Sequence, residues 1–237
     1  MDRKKYVIVM AAGRGTRMGA DRPKQFLMLD GKPILQRTIE KFVDACPDVK
    51  VITVLPKEYI GYWKDYCSSH GVNLAQQLVE GGMTRFHSVR NALEKVPAGA
   101  VVAIHDGVRP LVSETLIRNM FERMKSCRAL IPVLPTVDTL RALKSGKKAD
   151  GTEVLEAMEG VKPDRSVIWA VQTPQMFLSE EIKDAYTQGY DLCFTDDASV
   201  AEKKRIPLSF IRGERFNVKI TTPDDIEFAK AVGSLVP

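Results

Sequence analysis

A short apolar run passes directly into a glycine-rich segment in the stretch Tyr6-Val7-Ile8-Val9-Met10-Ala11-Ala12-Gly13-Arg14-Gly15-Thr16-Arg17-Met18-Gly19. The run at residues 6–10 is rich in β-branched residues and predicts a strand. Glycines after a strand let backbone N–H groups approach a phosphate closely, because glycine carries no Cβ and tolerates a positive φ. The stretch therefore predicts a strand that ends in an anion-binding loop.

Similar apolar runs recur along the chain and alternate with helical patterns. Further strands are predicted at residues 49–55, 75–79, 101–105 and 129–134, and helices at residues 34–45, 88–96 and 113–125. The alternation is typical of βαβ units, so we expect an α/β protein with a mostly parallel sheet and helices on both faces. Such folds bind ligands at the carboxyl ends of their strands. We expect one domain over residues 1–237.

The alternation is interrupted once, between residues 136 and 171. Polar and apolar residues alternate at 137–141, a polar turn follows within 144–151, and an extended pattern resumes at 154–158. These features predict a projecting β-hairpin, called the arm here, at about residues 137–170. An isolated hairpin is only marginally stable in water, so we expect the arm to form a homodimer contact. A mobile surface excursion is the alternative.

The composition is that of a globular protein. Of the 237 residues 44% are hydrophobic and 27% are charged. No apolar run has the length of a membrane span or a signal peptide, so we expect a cytoplasmic protein with no membrane partner. The four cysteines and three histidines show no spacing typical of metal ligands, and we expect no structural zinc.

The positive charge is concentrated at one end of the chain. There are 35 Lys and Arg against 30 Asp and Glu, but residues 1–24 hold seven basic and two acidic residues, and the remainder balances at 28 of each. A local excess around a glycine-rich loop favours a small anionic ligand over nucleic acid, which needs basic residues across a whole face.

Two familiar phosphate-binding motifs do not fit the loop. No Gly-x-x-x-x-Gly-Lys-Ser/Thr string is present, and Gly13, Gly15 and Gly19 are spaced one residue too widely for a dinucleotide-binding turn. Arg14, Arg17 and Lys24 instead crowd the loop. Positioned cations of this kind stabilise the charge that develops when the α-phosphorus of a triphosphate is attacked, so the loop indicates nucleotidyl transfer.

Six motifs in order along the chain carry a family resemblance. They are Ala11 to Met18 with Pro23-Lys24-Gln25; Gly81-Gly82 with Arg85 and Ser88-Val89; His105-Asp106-Gly107-Val108-Arg109-Pro110; Gln172-Thr173-Pro174-Gln175; Thr195-Asp196-Asp197-Ala198-Ser199; and Asn217-Val218-Lys219-Ile220-Thr221. Together they resemble the 2-C-methyl-D-erythritol 4-phosphate cytidylyltransferases of non-mevalonate isoprenoid synthesis. The resemblance implies a Rossmann-like nucleotidyltransferase fold and transfer of CMP from CTP to the polyol phosphate, with release of pyrophosphate.

The resemblance also implies roles for individual residues. Arg17 and Lys24 match the catalytic pair, and Mg²⁺ is the implied cofactor, with Asp106 as a candidate ligand beside the CTP phosphates. Nucleotide binding is implied for Ala11, Ala12, Gly13, Arg14, Gly15, Gly82, Arg85, Ser88 and Asp106. Substrate binding is implied for Asp106, Arg109, Thr139, Arg165, Thr173 and Lys219. In this family Thr139 and Arg165, on the arm, would reach the neighbouring subunit's site.

Some alternatives stay open. Asp106 could instead cap a helix, and the Thr173 hydroxyl could stabilise a turn. Asp196 and Asp197 could cap a helix at residues 198–204. A ribitol 5-phosphate cytidylyltransferase shares the nucleotide motifs, although Thr195-Asp196-Asp197-Ala198-Ser199 favours methylerythritol phosphate. A third interpretation is a non-catalytic CTP-binding regulatory module, but that function would not explain why Arg17, Lys24 and Lys219 occur together.

Overall fold

The computed structural model describes residues 3–13 and 22–233. The strands are β1 (Lys5–Met10), β2 (Met28–Leu29), β3 (Lys32–Pro33), β4 (Lys50–Leu55), β5 (Gln76–Glu80), β6 (Val101–Asp106), β7 (Ala129–Pro135), β8 (Leu143–Lys147), β9 (Glu153–Ala157), β10 (Trp169–Val171), β11 (Gln175–Leu178) and β12 (Ser209–Arg212). The helices are α1 (Ile34–Ala45), α2 (Lys57–Ser69), α3 (Arg85–Leu93), α4 (Glu114–Arg123), α5 (Ser179–Ala185), α6 (Asp197–Lys203) and α7 (Pro223–Gly233), with a short 3₁₀ turn at Lys24–Phe26.

The predicted mostly parallel sheet is confirmed. Eight of the strands in the described residues form one sheet in the order β10-β7-β11-β6-β1-β4-β5, with β12 paired to β7. Strands β5, β4, β1 and β6 run parallel, as do β7 and β12. The short strands β10 and β11, which the sequence did not reveal, pair antiparallel with their neighbours.

Helices cover both faces of the sheet, as expected. Val7 and Val9 of β1 pack with apolar side chains of α1, α2 and α4, whereas Ile8 packs with those of α3, α5 and α6. The alternation follows from the two-residue period of a strand. Each of these fully buried aliphatic side chains contributes about 1.5–3 kcal/mol through the hydrophobic effect, so the two layers hold the carboxyl edge of the sheet rigidly in place.

Helix boundaries follow local capping. Helix α1 has the predicted bounds, but α3 begins at Arg85 and not at Ser88, because the Thr84 side chain accepts a hydrogen bond from the backbone N–H of His87 (3.4 Å). Ser113 caps α4 in the same way, accepting from the N–H of Leu116 at 2.9 Å. The earlier start of α3 brings its first turn to the end of β5.

The predicted hairpin is present, with its second strand close to the expected position and its first strand nearer the turn than expected. Strand β8 pairs antiparallel with β9, from Leu143 opposite Ala157 to Lys147 opposite Glu153. Residues 137–141 are irregular, so the expectation of an extended strand there was wrong. The turn sets the register: the N–H of Lys148 donates to the carbonyl of Thr152 (2.9 Å) around Gly151, whose φ is +86°.

The arm exposes much apolar surface. Its large exposed apolar side chains are Val137, Leu143, Leu155, Met158, Val161, Val167, Ile168 and Trp169. A concentration of this kind is typical of an interaction surface. Across the residues that the structure covers, no helix combines the length and apolar character needed to cross a membrane.

Candidate active site

The carboxyl ends of β1, β5 and β6 border a cavity of about 650 Å³. The structure brings together many of the residues singled out in the sequence, and those that line the cavity are Ala11, Ala12, Gly13, Lys24, Gly82, Arg85, Ser88, Asp106 and Lys219. These positions come from five separate segments of the chain. The fold therefore gathers the implied nucleotide and substrate residues at the edge of the sheet where α/β proteins bind ligands.

The segment after β1 is held from both sides. The backbone N–H of Ala11 donates to the carbonyl of Val54 (2.9 Å), and the buried Gln25 side chain donates to the carbonyls of Ala11 (2.7 Å) and Gly13 (3.2 Å). Gln25 thereby ties the 3₁₀ turn that carries Lys24 to the end of β1. The structural role of Gln25 was not predicted from the sequence, where its position directly after Lys24 was the only indication.

Close packing after β5 requires glycine. A Cβ at Gly81 would lie 2.5 Å from the Cβ of Ala12, and one at Gly82 would lie 2.5 Å from the Cβ of His87. The N–H of Gly82 donates to the Ser88 hydroxyl (3.0 Å), which in turn donates to the carbonyl of Thr84 (2.9 Å). Ser88 therefore fixes the backbone of this wall of the cavity.

Arg85 is anchored at the cavity wall by a buried carboxylate. Its two terminal nitrogens donate to Oδ1 and Oδ2 of Asp197 at 2.7 and 2.6 Å, and the Tyr186 hydroxyl donates to Oδ1 at 2.6 Å. Burial disfavours the charge of Arg85, but the Asp197 carboxylate outweighs it and raises the pKa of Arg85 above its ordinary value. The cavity thus has a permanently charged guanidinium in a fixed orientation.

Asp106, at the end of β6, joins two further cations. Nε of Arg109 lies 3.0 Å and Nζ of Lys219 lies 3.2 Å from its Oδ2. Burial by itself would raise the pKa of Asp106, but the positive charges of Lys219, Arg85 and Arg109 hold it well below its usual range. Asp106 is therefore an anion at neutral pH, and it orients two cations from distant parts of the chain.

Arg109 is also fixed by the segment that precedes Lys219. Its Nη1 donates to the carbonyl of Asn217 at 2.7 Å, and the Asn217 amide donates to the carbonyl of Thr173 at 2.8 Å. The Arg109 side chain is only 12% exposed, whereas that of Lys219 is 44% exposed. Lys219 is therefore the more accessible of the two cations to a ligand.

Thr173 and His105 lie behind Asp106. The Thr173 hydroxyl accepts from the backbone N–H of Asp106 (3.1 Å) and contacts Nδ1 of His105 (3.1 Å). Nε2 of His105 contacts the carbonyl of Arg109, also at 3.1 Å. Burial lowers the pKa of His105 to about 4, so its ring is neutral at pH 7.

Two predicted site residues on the arm do not line this cavity, and three others fall outside the described residues. Arg14, Gly15 and Arg17 lie outside the described residues. Thr139 and Arg165 are exposed on the arm, where Nη1 of Arg165 donates to the carbonyl of Val137 at 3.1 Å. Neither Thr139 nor Arg165 is among the described residues that line the cavity of their own chain.

A second cavity, of about 760 Å³, lies beside the amino end of β6 and helix α4. It is lined by Cys46, Phe121 and several cations, among them Lys5. Nζ of Lys5 is paired with Asp48 at 3.1 Å and lies 5.9 Å from the centre of the Phe121 ring. Despite its greater size, this cavity holds none of the residues implied in nucleotide or substrate binding.

The sheet is mostly parallel and has a cationic cavity at its carboxyl edge, bordered by backbone after β1 and β5 and by one carboxylate after β6. This arrangement is typical of a nucleotidyltransferase. Comparison with known proteins makes the class specific. A model of the 2-C-methyl-D-erythritol 4-phosphate cytidylyltransferase (IspD) family matches residues 6–234. The chain therefore belongs to this family.

Individual relatives match this chain along nearly its full length. The 2-C-methyl-D-erythritol 4-phosphate cytidylyltransferase of Bacteroides thetaiotaomicron is 42% identical, over 97% of this chain and 99% of the relative. Among solved structures, 4-diphosphocytidyl-2C-methyl-D-erythritol synthase from Anaerococcus prevotii superimposes with a TM-score of 0.77 at 25% identity, covering 99% of this chain and 100% of that one. The cytidylyltransferase from Thermus thermophilus gives 0.72 at 28% identity, covering 98% and 99%.

Family membership confirms the expected fold class and enzyme class. The fold is the Rossmann-like nucleotidyltransferase fold, and the enzyme is a cytidylyltransferase of isoprenoid synthesis that transfers CMP from CTP to 2-C-methyl-D-erythritol 4-phosphate.

Proposed function

We propose that this reaction takes place in the cavity at the carboxyl edge of the sheet. The observation that carries the proposal is the gathering of Lys24, Arg85 and Lys219 around Asp106 in one cavity of about 650 Å³. A triphosphate and a phosphate acceptor are both polyanions, and preorganised cations in a concave site suit both. The backbone after β1 and β5 lies on the same cavity and offers N–H and carbonyl groups to the cytosine, ribose and phosphates.

The chemistry needs positioning and charge stabilisation more than acid–base catalysis. A phosphate oxygen of the acceptor attacks the α-phosphorus of CTP, the new oxygen–phosphorus bond forms, and the bond to the departing pyrophosphate breaks. Because the attacking oxygen is already anionic, no general base is required. Lys24 stabilises the charge that builds on the α-phosphate, and Arg17 is its expected partner from the family resemblance.

The acceptor is assigned to the Asp106 side of the cavity. Asp106 is a strong acceptor for polyol hydroxyls, and the exposed Lys219 binds the acceptor phosphate. Arg109 keeps Asp106 ionised and oriented through its 3.0 Å contact with Oδ2. Thr173 supports Asp106 from behind through the hydrogen bond to its backbone N–H.

The residues present fit Mg²⁺ held mainly by the nucleotide. In the described residues no three His, Cys, Asp or Glu side chains form a metal-binding group, so the chain offers no complete cage there. Mg²⁺ in phosphoryl-transfer sites typically uses one or two carboxylates with substrate phosphates and waters. Asp106 suits this, because its ionised carboxylate, which Arg109 and Lys219 both contact at Oδ2, would supply the hard oxygen ligand. When bound, Mg²⁺ would neutralise charge on the triphosphate.

We also propose a homodimer formed through the arm. The eight large apolar side chains exposed between residues 137 and 170 need a covering surface, and a second copy supplies one. Thr139 and Arg165 would then contact the acceptor phosphate in the partner's cavity, which fits their exposure and their absence from the lining of their own. A reducing, cytoplasmic location fits the free thiols of Cys46, Cys67, Cys127 and Cys193.

Pyrophosphate release tests the activity. The purified chain with CTP and Mg²⁺ is given either methylerythritol phosphate or ribitol 5-phosphate, and we expect turnover with the first. Turnover only with ribitol 5-phosphate would reassign the acceptor. Binding of CTP without pyrophosphate from either acceptor would instead identify a regulatory module.

Mixed subunits test the arm. A chain carrying Arg165→Ala and a chain carrying Lys24→Ala should each be impaired alone and regain activity when mixed, because one intact site forms in the mixed dimer. The matched control replaces Arg165→Ala by Arg141→Ala, another exposed arginine of the arm. Failure to complement, or a monomer in sedimentation equilibrium, would contradict the shared site.

A further inference from the structure

His105 is a fully buried histidine for which the reaction described above has no direct use. It lies at the end of β6, immediately before Asp106, and its ring packs edge-on against Phe42 with centroids 4.9 Å apart. Both ring nitrogens nevertheless have polar contacts. Nδ1 lies 3.1 Å from the Thr173 hydroxyl and Nε2 lies 3.1 Å from the Arg109 carbonyl.

The partners determine the direction of each hydrogen bond. A carbonyl oxygen can only accept, so Nε2 of His105 carries the proton and donates to Arg109. The Thr173 hydroxyl already accepts from the backbone N–H of Asp106, so its own proton points to the unprotonated Nδ1. The result is a continuous series of hydrogen bonds from the Asp106 N–H through Thr173 and the imidazole to the Arg109 carbonyl.

This series of hydrogen bonds links both ends of the short turn from Asp106 to Arg109. The N–H of Arg109 donates to the carbonyl of Asp106 at 3.1 Å, and Nε of Arg109 contacts Oδ2 of the same residue. His105 thus holds the Arg109 carbonyl at one end of the turn directly. Through the Thr173 hydroxyl it holds the Asp106 N–H at the other end. The Asn217 amide donates to the Thr173 carbonyl at 2.8 Å and steadies the same unit from the side of Lys219.

We infer that His105 is a positioning residue for the acceptor: its Nε2–H imidazole, acting through Thr173 and the Arg109 carbonyl, fixes the Asp106–Arg109 turn so that the Asp106 carboxylate meets the acceptor hydroxyls. The inference rests on the proposed role of Asp106 in acceptor binding. His105 itself is shielded from the cavity and touches neither substrate.

Two substitutions of His105, one that removes both polar contacts and one that keeps a polar atom toward Thr173, separate positioning from packing. His105→Phe keeps an aromatic ring against Phe42 but removes both hydrogen bonds. His105→Asn keeps an acceptor near the position of Nδ1 and should restore the link to Thr173. We expect His105→Phe to raise KM for methylerythritol phosphate about tenfold and KM for CTP less than about twofold, and His105→Asn to recover much of the difference.

A matched control removes a buried ring N–H elsewhere. Nε1 of Trp63 donates to the Gln76 side chain at 3.1 Å, and Trp63 is likewise buried. Trp63→Phe should lower thermal stability without changing the ratio of the two KM values. An equal change in that ratio in Trp63→Phe and His105→Phe would overturn the inference, because general loosening would then explain both.

A measurement on the unmodified enzyme covers the case in which His105→Phe does not fold. ¹⁵N-edited NMR of the histidine rings at pH 7.5 should show His105 as the Nε2–H tautomer, identified by the loss of its signals in His105→Asn. A Nδ1–H tautomer would overturn the inference, since the Thr173 hydroxyl could not then donate to the ring.

The outcomes separate this inference from the site assignment. Asp106→Asn is assayed alongside; if it leaves KM for methylerythritol phosphate unchanged, the assignment of Asp106 fails and the inference fails with it. If Asp106→Asn raises that KM and His105→Phe does not, only the positioning role of His105 is refuted. Lack of turnover by the unmodified chain would refute the activity itself.

Discussion

Replacing Asp197 with asparagine should release Arg85 from the cavity wall. The fully buried carboxylate accepts two hydrogen bonds from Arg85 at 2.7 and 2.6 Å and one from Tyr186 at 2.6 Å. The amide has nearly the same size, but it lacks the negative charge. It also turns one acceptor oxygen into an NH₂ group that faces existing donors. The substitution therefore removes the attraction and creates a local donor–donor conflict.

The structure allows an estimate of the loss. Removing one partner of a buried ion pair typically costs about 3–5 kcal/mol. The Arg85 side chain is 33% exposed, so its guanidinium regains part of its hydration, and we expect a loss of about 3 kcal/mol at the lower end of that range. For a chain of this size such a loss lowers Tm by roughly 6–12 °C.

Differential scanning calorimetry and a double-mutant cycle with Arg85→Met test this estimate. Because the two residues contact each other directly, the coupling energy should be about 2 kcal/mol. KM for CTP should rise in Asp197→Asn more than KM for the acceptor, since Arg85 lies on the proposed nucleotide wall.

Asp184→Asn is the matched control. Asp184 pairs with Lys204 at 3.1 Å, but its side chain is 65% exposed, so the same chemical change should alter the free energy of unfolding by less than about 1 kcal/mol. Equal destabilisation by the two substitutions, or a coupling energy near zero between Asp197 and Arg85, would refute the reasoning from burial.

Three further predictions concern the cavity wall. Gly81→Ala should raise KM for CTP and lower the free energy of unfolding by about 1–3 kcal/mol, because the new Cβ would lie 2.5 Å from the Cβ of Ala12. The new Cβ of Gly189→Ala would meet nothing within 4 Å, so this control should change neither quantity in the same kinetic and unfolding assays. Lys24→Ala should lower kcat by orders of magnitude with a smaller change in KM, whereas Lys57→Ala, at an 80% exposed side chain, should leave steady-state kinetics unchanged. Gln25→Leu should raise KM for CTP about tenfold, because the carbonyls of Ala11 and Gly13 lose their buried donor; an unchanged KM would show that the 3₁₀ turn keeps its place without Gln25.

The sequence was most informative where periodicity and burial coincide. Helix α1 has the predicted bounds because its apolar residues recur at helical spacing and Pro33 precedes it. Helix α2 was not recognised because Trp63 is its only fully buried residue, which leaves a weak pattern. The arm was predicted as a hairpin, but its register depends on the turn at Gly151, which alternation alone does not locate.

At the site, positions directly after strands could be predicted, and their long-range partners could not. Asp106 follows an apolar run, so its place at the carboxyl edge is readable from the sequence. Asp196 and Asp197 both looked like helix caps. In the structure Asp196 caps α6, in a capping box with Ser199, while Asp197 pairs with Arg85, which lies 112 positions away. Nothing local distinguishes two adjacent aspartates whose difference arises from tertiary packing.

The two buried carboxylates explain how so cationic a cavity is stable before substrate binds. Arg85 is neutralised by Asp197, and Arg109 and Lys219 share Asp106, so each of these three cations has a partner that also fixes its direction. The pairs are not equivalent toward an incoming polyanion. Arg109 is mostly buried and stays with Asp106, whereas Lys219 is exposed and can turn toward a phosphate while Arg109 keeps Asp106 ionised. In the proposed site, Arg109 thus orients the carboxylate, and Lys219 is the cation that follows the acceptor phosphate.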